Sequence, residues 1–131
     1  MSEYFNKVKD YLMELEYRII TEDAAEELVV IEKEEDGISN VVIDCEDSIV
    51  IIEGLLFEMN TGSEDIYKSL LMKNREIVHG AFTLDETGKK VIFRDTLQLE
   101  NLDLNELEAT LNSLKLLLSE YSSELIDFSK A

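Results

Sequence analysis

Three short runs of this chain are apolar at every position rather than at alternate ones, and that pattern constrains the fold more than any other feature. They are Leu28-Val29-Val30-Ile31, Val41-Val42-Ile43 and Ile49-Val50-Ile51-Ile52. Side chains of a strand alternate between two faces, so Ile49 and Ile51 point one way while Val50 and Ile52 point the other. A sheet with one wet face shows polar alternation instead. Strands of this kind need cover on both sides. Either helices of the same chain supply it on both, or part of one face is covered by another chain, a twin subunit or a bound segment. The links are short: Glu34-Glu35-Asp36-Gly37 contains an Asp-Gly turn, and Glu46-Asp47 is a tight two-residue link, so both demand antiparallel hairpins.

The remaining elements follow from spacing. Phe5, Val8, Leu12 and Leu15 recur at three- and four-residue steps behind Ser2, an N-cap residue, and predict a helix over residues 3 to 16. Tyr17 to Ile20 then lead into Leu28–Ile31 as a first strand, followed by strands over Ile38–Cys45 and Ile49–Phe57. Ser63 with Glu64 and Asp65 caps a short helix reaching Asn74, where acidic residues suit the positive end of the helix dipole. Ile77–Leu84 and Lys90–Leu97 read as two strands around Asp85-Glu86-Thr87-Gly88. Asp103 with Glu106 resembles a capping box opening a long final helix. The expectation is one α+β domain over residues 1–131, an antiparallel sheet of about five strands with three helices in the order α-β-β-β-α-β-β-α.

The final helix carries Leu107, Leu111, Leu114, Leu118, Tyr121, Leu125 and Phe128 in a heptad-like stripe, widened by Leu104, Leu116 and Leu117. About 25 helical residues extend roughly 37 Å, against a radius of gyration near ~14 Å for a domain of this size. The helix either packs across its own sheet or meets another subunit.

Catalytic constellations lack their parts. His79 is the only His, so no His-based metal cluster or triad is expected. Cys45 lies between Asp44 and Glu46, whose charges raise a thiol pKa and make it a poor nucleophile. Glu32, Glu34 and Asp36 alternate as in a calcium loop, but the twelfth position is Ile43 and not a bidentate Glu, so a hairpin rim is expected. The five glycines form no phosphate-binding loop, and Gly54 and Gly80, inside expected strands, suggest bulges. No catalytic residue, metal or cofactor is therefore expected.

Charge narrows the partners. With 30 acidic residues against 12 basic ones, the net charge of −18 opposes sequence-independent binding to nucleic acid and to anionic membranes. One Cys, no basic and apolar leader and no membrane-length apolar run predict a cytoplasmic protein. The excess is local. Residues 22 to 65 hold 15 acids and only Lys33, whereas residues 66 to 98 hold six bases and four acids. The acids thus rim the three runs that are apolar on both faces, and a segment with basic flanks around apolar anchors is the natural ligand.

The second half of the chain carries a resemblance. Leu70-Leu71 with Asn74, then Gly80, Phe82 and Leu84, Asp85-Glu86 with Gly88, Val91 and Phe93, then Leu97, Leu102 and Leu107, form a run of helix, hairpin and final helix. This run, with the element order and the small acidic chain, resembles the class I type III secretion chaperones, also labelled Tir-chaperone-like, and the related YbjN-like proteins. The resemblance implies a non-catalytic cytoplasmic homodimer that holds a stretch of a partner protein, effector-like or regulatory, against apolar surface. The YbjN-like branch implies a regulatory adaptor of undefined ligand as the alternative; a small-molecule sensor or enzyme working through carboxylates is a further one. Val29, Ile31, Val42, Ile49, Ile51, Leu55 and Phe57 are the expected partner or dimer contacts.

Overall fold

The computed structural model describes residues 2–130. The elements are α1 (Glu3–Glu14), β1 (Arg18–Asp23), β2 (Leu28–Lys33), β3 (Ile38–Glu46), β4 (Ile49–Glu58), α2 (Glu64–Asn74), β5 (Ala81–Leu84), β6 (Lys90–Gln98) and α3 (Leu104–Ser129). All three caps form as their residue types dictate. Ser2 accepts from the Phe5 N–H, Ser63 from Ile66 and Asp103 from Glu106.

The strands form one antiparallel sheet in the order β1-β2-β3-β4-β6-β5. It has six strands where the sequence suggests about five. The region from Tyr17 to Ile31 is two strands folded back at residues 24–27, and the turn closes with Glu27 at φ 54°, in the left-handed region, without a Gly or Asn to announce it. A second difference lies before β5. The expected strand from Ile77 begins only at Ala81, because Gly80 at φ 82° turns the chain, so His79 lies outside the sheet with its carbonyl held by Ser113 Oγ at 2.6 Å. A β-carbon at Gly80 would stand 2.5 Å from the Phe93 ring. Gly54 is within β4, and the register break falls beyond it, between Leu55 and Phe57.

One apolar core forms between the helices and one face of the sheet. Phe5, Val8 and Leu12 of α1 and Leu107, Leu111, Leu114 and Leu117 of α3 meet Val29, Ile31, Ile43, Val50, Ile52, Val91 and Phe93. Burying such a side chain is worth about 1.5–3 kcal/mol, so this layer dominates the stability. α3 packs along most of its length rather than projecting. Tyr121 meets Phe82 and Phe128 meets Phe57, each pair of rings 6.3 Å apart. Lys73 of α2 ties the same region down, bonding Glu124 at 2.7 Å and lying 5.2 Å from the Tyr121 ring.

The two edges of the sheet differ. On β5, Asn74 takes the place of a neighbouring strand: the Phe82 N–H donates to its Oδ1 at 2.7 Å, and its Nδ2 donates to the Phe82 carbonyl at 3.2 Å. On β1 the register shifts between Ile19 and Thr21, a bulge of the kind that makes an edge a poor template for strand addition.

Candidate functional site

Register assigns each strand residue to a face. Val29 pairs with Ile43, Ile43 with Ile52, and Gly54 with Phe93, and these positions look toward the helices. Val30 pairs with Val42, Asp44 with Ile51, Glu46 with Ile49, and Leu55 with Ile92, and these look the other way. The helices reach the sheet from the first side: Thr110 of α3 donates to Asp95 at 2.7 Å, Lys9 of α1 meets Glu22 at 3.1 Å, and Leu114 sits over Gly54. Among the described residues no helix lies on the second, outer face.

The outer face is an apolar surface with a polar seam. Leu28, Val30, Val42, Ile49, Ile51 and Ile92 are half-buried by one another, and Leu55 is 55% exposed. Glu53 and Arg94, directly opposite across β4 and β6, pair at 3.0 Å; Arg18 and Glu32 pair at 2.7 Å toward the β1 end. Asp44 is different. Its Oδ1 is shielded from solvent and has no hydrogen-bond partner. Burial pushes its carboxyl pKa up, and Glu46, Glu26 and Glu53 push the same way.

The seven residues expected from sequence as contacts divide between the faces. Val42, Ile49, Ile51 and Leu55 lie on the outer one. Val29 and Ile31 are 0% exposed and Phe57 8%, all packed in the core on the helix-covered side. Ile92 and Val30 complete the patch and were missed. Both sit in runs that the sequence marks as strands, and only the pairing shows their side.

A second exposed apolar patch lies on α2, where Leu71 is 70% and Met72 65% exposed. Beside it runs a groove between α2 and β5 lined by Tyr67, Leu70, Leu71, Asn74, Phe82, Thr83 and Leu84, with no carboxylate among them. Cys45 is buried, and burial first, then Glu27 and Asp44, push its thiol up to about 12, which keeps it protonated and unreactive. Asp36 of the acidic hairpin faces Lys115 at 3.2 Å and Lys33 at 3.6 Å, so that loop is a paired rim. Among the described residues no cluster of three metal-ligating side chains occurs, and no helix is long and apolar enough to cross a membrane.

The fold has solved counterparts. YbjN from E. coli, described as a candidate transcription regulator, matches with a TM-score of 0.70 at 11% identity over 92% of each chain. The Yersinia pestis type III secretion chaperone SycH, solved with a stable fragment of YscM2, gives 0.61 at 15% identity over 96% of this chain and 99% of that one. A chain of the HopA1–SchA chaperone–effector complex gives 0.61 at 14% identity, covering 97% of this chain and 94% of its own length. At such identities the likeness is one of fold. No curated protein matches the sequence. The family model CesT_Tir_1, that of a type III secretion chaperone family, matches residues 1–131, and the chain belongs to that family.

Proposed function

We propose that the chain is a non-catalytic, cytoplasmic protein-binding module that holds or escorts a partner polypeptide along the outer face of its sheet, and that it works as a homodimer. The observation that carries this is the uncovered face itself, with Val42, Ile49, Ile51 and Leu55 presented together where a lone domain has polar residues. The SycH and HopA1–SchA structures, in which a chaperone of this fold is complexed with another protein, support the reading. Leu71 and Met72 on α2 offer a separate apolar patch for a twin subunit.

A photoreactive residue in place of Ile51 tests it in living cells. It should crosslink to one discrete polypeptide, whereas the same group in place of exposed Glu35 should not. Light scattering should give twice the 15.0 kDa chain mass, and Leu71→Glu with Met72→Glu should halve it. A monomeric wild type without crosslinks at position 51 would overturn the proposal. A regulatory adaptor is the second reading, favoured by the TM-score of 0.70 to YbjN. It keeps the same surface and differs in the captured partner, a regulator rather than an exported protein.

A further inference from the structure

Charge on the outer face is unbalanced at one place. Among the described residues its cations are engaged or distant: Arg94 is held by Glu53, Arg18 by Glu32, and Lys90 sits at the far end opposite Glu58. Asp44 is left in the middle, with Leu28 as its neighbour on β2 and Ile51 on β4. Glu46 follows it on the same face, Glu26 lies in the adjoining turn, and none of the three has a basic partner among the described residues. A carboxylate between apolar side chains, with one oxygen cut off from water and unbonded, is an expensive arrangement for a fold to keep.

We infer that Asp44 selects the partner: it accepts the Lys or Arg side chain of an extended segment whose flanking apolar side chains rest on Ile51, Val42 and Leu28. The inference builds on the protein-binding reading above and adds the chemistry of the ligand. Extended chains alternate sides, so a cation over Asp44 places the residues two before and two after it on the same apolar face. The aspartate carboxyl turns readily about its last bond, which lets either oxygen meet the incoming cation. An opposite charge there supplies the missing counterion in a setting where water no longer screens it. A second copy of this chain brings no free cation to Asp44 through this face, where Arg94 is held by Glu53 and Arg18 by Glu32. Nucleic acid and anionic membrane are opposed by the charge of Asp44, Glu46 and Glu26.

The test uses two short synthetic peptides that alternate valine and threonine, identical except for a central arginine in one and uncharged, isosteric citrulline in the other. Titration into the full chain, followed by amide NMR shifts, should map both to β3 and β4 on the outer face. The arginine peptide should bind about tenfold more tightly or better, as expected for a charge-assisted hydrogen bond. In Asp44→Asn, checked for an unchanged melting curve, the difference between the peptides should close; in Glu46→Gln it should persist. Equal affinities on the outer face, or a preference that survives Asp44→Asn, would overturn the role of Asp44 and leave the docking surface standing. Failure of both peptides to shift outer-face residues would overturn the inference and count against that surface.

Discussion

Ile51 and Ile52 are the same residue at neighbouring positions of one strand, and they belong to different parts of the molecule's physics. Ile52 is fully buried against α1 and α3 with the rest of the core, while Ile51 lies on the outer face between Asp44 and Thr96, with no helix above it. The helix-covered face matches apolar groups with apolar groups and satisfies the polar ones it keeps: Thr110, 0% exposed, donates to Asp95 at 2.7 Å. The outer face is apolar without a lid and carries an aspartate with one shielded oxygen, Oδ1, left without a donor. One side is finished by the chain itself, and the other is the one on which we propose that a second polypeptide rests.

The contrast can be broken by substitution. Ile52→Ala should cost about 3–4 kcal/mol, since it opens a cavity in a packed core; a shift of the urea midpoint reads it directly, and a loss below ~1 kcal/mol would contradict the placement of the core. Asn74→Ala should cost about 2 kcal/mol by leaving the Phe82 N–H and carbonyl at the β5 edge without their partners. The same change should raise the tendency to associate at high concentration, measured by light scattering, because an unblocked edge accepts strands. Thr110→Val should cost about 1–2 kcal/mol, because Asp95 Oδ2 loses its donor while Oδ1 keeps only the Thr96 N–H. Ile51→Ala should cost less than about 1 kcal/mol, because its side chain was never enclosed.

The smallest effect is a slope with pH. The Asp44 carboxyl is raised above its ordinary value of 3.8 by burial and by Glu46, Glu26 and Glu53. The folded state then holds a proton that the unfolded state has already lost, so stability falls as pH rises from 3.8 through the raised folded value. Asp44→Asn removes that fall. Comparing wild type and variant by urea unfolding across the acid range should show the difference growing as pH increases and then levelling off. Parallel curves would mean that Asp44 is not strained in the free protein.

Much of the fold was legible because local rules decided it. Ser2, Ser63 and Asp103 begin their helices through short-range hydrogen bonds, and Asp36-Gly37 and the link read at Glu46-Asp47, which the structure closes one residue later at Asp47-Ser48, leave no room except for hairpins. The strand missed between Tyr17 and Ile31 was hidden because its turn, Ala24-Ala25-Glu26-Glu27, holds no residue that favours the left-handed conformation Glu27 adopts. The site was half legible for a reason of parity. Odd residues of β2 pair with odd residues of β3, but odd residues of β3 pair with even residues of β4, so Val29 and Ile51 fall on opposite faces although both are odd. The extra residue at Leu56 then reverses the alternation once more and turns Phe57 inward. Composition reveals that both faces are apolar; only register says which one the helices take.

One comparison tests the central claim that the outer face is a contact surface and not an incomplete core. The polypeptide captured at position 51 is measured for co-purification with wild type, Ile51→Asp and Ile52→Asp, alongside the urea midpoint of each. The account predicts that Ile51→Asp keeps a midpoint within about 1 kcal/mol of wild type yet loses the partner, while Ile52→Asp fails to fold. Retention of the partner by Ile51→Asp, or unfolding of both variants alike, would contradict it.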